Sequence, residues 1–186
     1  YLEARAVSRV SDGSIGWGKA GKVLDWVVIM RRFDQDLLFD SVAQRGALSP
    51  RMMLDLVDHI VSFHTQAERL FAYDGSSSIA AVEQSNTECL RQSDGRFFEP
   101  KHVTDLHARS RTQLAVIAPL LDARRVAGKV RRCHGDLHLH NICLLDGKAV
   151  LFDCIEFSDE IASVDVLYDL AFLLMDLEYR NLQDLA

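Results

Sequence analysis

The feature that most restricts what this chain can become is residues 133–157, C-H-G-D-L-H-L-H-N-I-C-L-L-D-G-K-A-V-L-F-D-C-I-E-F. Two apolar runs, 142–145 and 148–153, are separated by Asp146-Gly147. That dipeptide tolerates the positive backbone angles of a two-residue antiparallel turn, so the segment is predicted to form a tight hairpin. The hairpin folds Asp153 back toward Asn141, which closes a D-x4-N pattern begun by Asp136. His134 and Gly135 open the loop between, and Gly135 suits a backbone angle that other residues resist. One carboxylate, Asp136, is placed to take a proton from a hydroxyl. An amide and a second carboxylate, Asn141 and Asp153, suit Mg2+, a hard cation that takes oxygen ligands and keeps waters. Together these are the parts of a phosphoryl-transfer site acting on a nucleotide triphosphate.

The same stretch carries other groups with chemistry of their own. His138 and His140, with Cys133, Cys143 or Cys154, allow a zinc reading and hence a zinc-dependent hydrolase. The cysteines lack ligand-pair spacing and lie in or beside apolar runs, where cysteine is usually a small buried hydrophobe. Glu156 and Asp159-Glu160 are read as solvated, with a cationic substrate as the alternative. Asp165 and Asp169 sit four residues apart in an otherwise apolar helical run. A buried aspartate needs partners, and for Asp169 the backbone of the 134–141 loop is the expected one, a structural brace.

Upstream, the pattern passes from strands to helices. Residues 2–10 and 23–30 read as strands, the second rich in β-branched side chains. The glycine-rich piece between them, 13–21, is read as a hairpin connection. A phosphate cradle is the alternative, but the spacing of a P-loop and a following helix are missing. Residues 33–44 have helical spacing at Leu37, Leu38 and Val42. Ser49-Pro50 is a helix start. The helix running to about residue 70 is expected to turn Leu54, Val57, Ile60, Val61 and His64 inward, with His64 hydrogen-bonded in the core. A loop at 73–78, a helix over 79–92, a turn at 93–95 and a helix over 101–122 follow, the last kinked by Pro119. Residues 130–133 are strand-like. A helix is predicted from 163 or 164 to 177, so apolar on all sides that it belongs in the centre of a lobe.

Composition sets the limits. With 186 residues, 48% hydrophobic and 26% charged, there is material for one soluble domain with a sizeable core, or one and a part. The net charge of -6 gives no footprint for nucleic acid. The longest apolar run, 166–177, is broken by Asp169 and Asp176 and is too short for a bilayer. Four cysteines without a disulfide framework fit a reducing cytoplasm.

The runs H-G-D-L-H-L-H-N (134–141), L-F-D (151–153) and Y-D-L-A (168–171) resemble the aminoglycoside phosphotransferase-like family of the protein-kinase-like fold. V-I-M-R-R-F (28–33) and F-D-C-I-E-F (152–157) are similar to a bacterial branch sometimes fused to a C-terminal P-loop ATPase domain. The resemblance covers nearly the whole chain, and its central motif is specific for the superfamily but weak for substrate. It implies an α+β fold, with the remnant of a small antiparallel sheet lobe (1–30) followed by a hinge and mainly helical lobe (31–186). It implies ATP and Mg2+ as cofactors and a small-molecule hydroxyl as acceptor. Asp136 would be the base, Asn141 and Asp153 the metal ligands, and His134 and Asp169 supports of the loop. Val28, Met30 and Arg31 would lie at the hinge against the adenine. The family's nucleotide-covering loop, strand lysine and partner glutamate have no counterpart here; Lys19 and Lys22 fall in a turn after the wrong strand. The chain is therefore read as part of a longer parent, and a non-catalytic kinase-like module that binds nucleotide or a partner stands as the second reading.

Overall fold

A computed structural model describes residues 2–18, 20–72, 75–93, 95 and 97–186. Lys19, and parts of the expected 73–78 loop and 93–95 turn, lie outside the described residues. The chain divides into two compact units, Tyr1–Gln35 and Asp36–Ala186.

The first unit is a three-stranded antiparallel sheet of β1 (Glu3–Arg9), β2 (Ile15–Trp17) and β3 (Lys22–Ile29), in the order β2-β1-β3. The glycine-rich piece therefore makes hairpins rather than a phosphate cradle, and it contributes a strand of its own. Gly13 and Gly18 turn the chain on either side of β2 with φ of 84° and 93°, angles that cost an L side chain strain. Lys22 is not in a turn: it starts β3, opposite Arg9.

In the second unit the expected helix over 33–44 is broken. A 3-10 turn, Gln35–Leu37, is followed by Leu38 in extended conformation, bridged to Cys143, and only then by α1 (Phe39–Gln44). Pairing with the hairpin outweighs local helical spacing there, as tertiary contacts commonly do. α2 (Pro50–Gln66) begins at the predicted cap, with the Ser49 hydroxyl accepting from the Met52 N–H at 3.3 Å. It ends short of residue 70. The Arg131 guanidinium donates to the carbonyls of His64, Thr65 and Ala67, satisfying helix-end acceptors that have no partner within the helix. The chain then runs extended, with Leu70 N–H bonded to Val130 and Arg132 N–H to Glu68. The buried face of α2 is Met53, Leu56 and Ile60, whereas Leu54, Val57 and Val61 are exposed. The helix is apolar on two faces, and periodicity alone does not choose between them.

α3 (Ser76–Arg91) and α4 (Pro100–Val126) pack on each other. His107 Nδ1 lies 2.8 Å from Glu83 Oε1, which also accepts from Thr87 at 3.0 Å. Pro119 does not end α4, which continues to Val126.

The remaining elements carry the site: β4 (Val130–Arg132), the β5–β6 hairpin (Ile142–Leu145, Lys148–Leu151), α5 (Asp159–Ala162), β7 (Ser163–Asp165) and α6 (Val166–Tyr179). The hairpin turns at Asp146 and Gly147, with φ of 50° and 76°, in register Leu145↔Lys148. Residues 163–165 are not helical; they pair antiparallel with β4. Asp165 caps α6 by accepting from the Leu167 N–H at 2.8 Å, and Arg124 holds it through two bonds of 2.7 Å. α6 is also not buried all round: Asp169, Leu173 and Leu177 face inward, while Leu167, Leu174 and Met175 are exposed. The core joins Phe39, Leu56, Ile60, Leu173 and Leu177 to Leu137, Leu139 and Ile142, so it lies directly beneath the 134–141 loop. No helix among the described residues is long and apolar enough to cross a membrane.

Candidate active site

The loop is built by alternation. Leu137 and Leu139 are fully buried, while Asp136 and His138 are half-buried and His140 is exposed. Burying each leucine is worth about 1.5–3 kcal/mol, which ties the loop to the core and turns the polar side chains the other way. Gly135 makes the bend, with φ of 82°. A Cβ there would lie 2.7 Å from Ile155 Cγ1 and 3.1 Å from Ile155 Cβ. Gly135→Ala therefore combines left-handed backbone strain of about 1–2 kcal/mol with overpacking of about 1–3 kcal/mol. We expect a loss of about 2–5 kcal/mol in denaturant unfolding of the intact protein.

Two carboxylates of α6 hold the loop from below. Asp169, fully buried, accepts from the Gly135 N–H at 2.8 Å and the His134 N–H at 3.3 Å. His64 of α2 meets the same carboxylate, Nε2 to Oδ2, at 2.8 Å. Two turns along, Asp176 accepts from the Leu139 N–H at 3.0 Å and pairs with Arg180 at 2.7 Å. Neither the His64 partner nor the Asp176 brace was read from the sequence. The available signal was the spacing of Asp169 and Asp176, seven residues apart and so on one face of an otherwise apolar helix.

Above the brace, the Asn141 Nδ2 group donates to the Asp136 carbonyl at 2.9 Å and to Asp136 Oδ2 at 3.0 Å. The nitrogen end of the amide is thus committed to Asp136. The oxygen end is the one available to a cation, and an amide oxygen with carboxylates is a donor set that fits Mg2+. The Phe152 N–H donates to the Asn141 carbonyl at 3.1 Å, so the hairpin sets Asp153 one residue beyond the backbone partner of Asn141. Asp153 is exposed and has φ of 59°. A non-glycine residue in that region is strained, a condition concentrated at functional sites. Val28, Met30 and Arg31 belong to the other unit, Val28 in β3 and the other two just past it.

His134 links loop and hairpin: its Nε2–H donates to the Phe152 carbonyl at 2.8 Å. Its Nδ1 is buried without a hydrogen-bond partner among the described residues. Burial holds the imidazole below its usual 6.5, against the opposing pull of the Phe152 carbonyl and the Asp169 and Asp136 carboxylates. The folded protein thus binds this proton less readily than the unfolded chain. The contribution is neutral above the unfolded value and becomes destabilising as pH falls below 6.5. We expect the denaturant midpoint to drop between pH 7 and pH 5, and His134→Gln to make that drop shallower.

The zinc reading finds no support in the arrangement. His138 faces Asp136, Nε2 to Oδ1, at 3.2 Å, and His140 faces Asp40 of α1 at 2.9 Å. Among the described residues, the group of three chelating side chains is instead His64, Cys133 and Asp169. There burial, reinforced by the Asp169 and Asp165 carboxylates, pushes the Cys133 thiol far up.

A braced loop with a hairpin behind it, carrying a half-buried Asp136 bonded to the buried Asn141 amide, is the arrangement of a kinase-like lobe. Residues 15–185 match the profile of the phosphotransferase enzyme family known as APH. The chain belongs to that family, the one its motifs resemble, and its α+β architecture is the protein-kinase-like fold. Uncharacterized proteins of Mycobacterium bovis and Mycobacterium tuberculosis are 32% identical to it over 168 residues, covering 86% of this chain and 33% of each relative. The chain thus spans about a third of the length of these curated relatives. No solved structure matches it significantly.

Proposed function

We propose that the protein transfers the γ-phosphoryl group of ATP to a hydroxyl of a small molecule, an amino-sugar-like compound or another metabolite, in the cytoplasm. The observation that supports this most is the Asn141 amide, whose nitrogen end holds the Asp136 carboxylate while its oxygen end is left for a cation. Asp136, half-buried and held at Oδ2 by the Asn141 amide, accepts the proton of the attacking hydroxyl. Asn141 and Asp153 hold Mg2+, which when bound neutralises charge on the phosphate oxygens. Val28, Met30 and Arg31 line the adenine side of the nucleotide. His134 and Asp169 keep the loop in place, and positioning supplies much of the acceleration. A P-loop ATPase domain fused in the parent is the proposed partner.

The test is ATP-dependent transfer by the intact protein across a panel of hydroxylated metabolites, with and without Mg2+. Magnesium-dependent phosphorylation of a panel alcohol supports the reading. Tight ATP binding with no transfer to any acceptor, water included, favours the non-catalytic module instead.

A further inference from the structure

We propose that the acceptor is an alcohol with an apolar body, alkyl or aryl, and not a polycationic amino sugar, and that its body sits in the cavity between α3 and α6. This rests on the reading of Asp136 as the base. The cavity has a volume of about 370 Å³, the size of small-molecule sites, which are mostly apolar with a few polar groups. Its wall is Val130 and Val164 from β4 and β7, Ile79 and Val82 from α3, and Tyr168 and Phe172 from α6. The two rings meet edge to face, with centroids 5.5 Å apart and planes at 82°. Gly135 also lines the cavity, so the catalytic loop closes one end of it next to Asp136.

Charge decides against a polycation. The charged side chains of the lining are Glu160 and Asp165. Asp165 is already neutralised by Arg124, through two bonds of 2.7 Å. Glu160 is exposed and pairs with no cation among the described residues. The cavity therefore answers one positive charge at most, and each further ammonium would be desolvated without a partner, a heavy penalty. An alkyl or aryl body meets the wall without that loss. In the transfer step the alcohol oxygen bonds to the γ-phosphorus as the bond to the bridging oxygen breaks. ADP leaves with that electron pair, and the hydroxyl proton passes to Asp136.

The experiment uses the intact protein with ATP and Mg2+, and reads the phosphorylated alcohol itself. Only product lost in Asp136→Asn is counted, so turnover elsewhere in the parent does not enter. From butanol to hexanol, kcat/KM is expected to rise about fourfold for each added methylene. Phenylpropanol should match or exceed hexanol, and kanamycin, a polycationic amino sugar, should take no phosphate. Ala81→Phe and Ser85→Phe fill the cavity from exposed positions of α3 that line it. Each is expected to lower kcat/KM for phenylpropanol about tenfold or more, with KM for ATP and the melting temperature unchanged. Phosphorylation of kanamycin without the alkanols, or a flat dependence on chain length, overturns the proposal and leaves the phosphotransferase reading intact. A second readout needs no turnover: the fluorine resonance of para-trifluoromethylbenzyl alcohol should be broadened by wild type and not by the filled variants. Broadening that survives both fillings, or none in wild type, also overturns the proposal. Broadening that the fillings abolish, with no transfer to any alcohol, removes the phosphotransferase reading, and the acceptor role of the cavity falls with it.

Discussion

Asp136→Asn is expected to abolish phosphoryl transfer while leaving the protein folded. The substitution keeps size and removes the acceptor for the hydroxyl proton, a loss of about 100–10,000-fold for general-base catalysis. The one acceptor oxygen of the new side chain can still receive the bond from Asn141 Nδ2. Asp136 is half-buried and its neighbours are anchored by Leu137 and Leu139, so the melting temperature should change little. The decisive measurement is kcat of the intact variant for phosphorylation of the acceptor alcohol. Undiminished turnover would remove Asp136 from its assigned role.

Asp169→Ala is expected to have the largest effect on stability. It strips the acceptor from the Gly135 and His134 N–H groups and from His64 Nε2 together. All three sit around a fully buried carboxylate. Removing one partner from a buried charged network costs about 3–5 kcal/mol, a large share of the roughly 5–15 kcal/mol that holds a domain together. Asp169→Asn retains one acceptor oxygen and should lie between wild type and alanine. Asp176→Asn weakens the single loop bond at Leu139, in a less buried place, and should cost less than either. Denaturant unfolding of the three variants checks that order. A loss in Asp169→Ala of no more than about 0.5 kcal/mol, the range of ordinary surface changes, would mean that the loop does not depend on this brace.

Legibility in the sequence followed the range of each interaction. The Asp146-Gly147 turn, the Ser49 cap and the bend at Gly135 were readable because each is decided within a few residues. The hairpin's register then set Phe152, the residue before Asp153, against the Asn141 carbonyl without any distant contact. Errors arose where a distant partner settled the matter. The inward face of α2 was misread because Leu54 and Val57 are as apolar as Met53 and Leu56. The start of α6 was placed too early because the pairing of Ser163–Asp165 with β4 carries no local signal.

By itself, the order of residues determined the family and the hairpin, because motif spacing and turn chemistry are local properties. Only the three-dimensional arrangement decided that His64 shares the Asp169 carboxylate and that Asp176 holds the same loop. Those contacts join residues as many as 105 positions apart, and a chain has no means of announcing them before its core has closed.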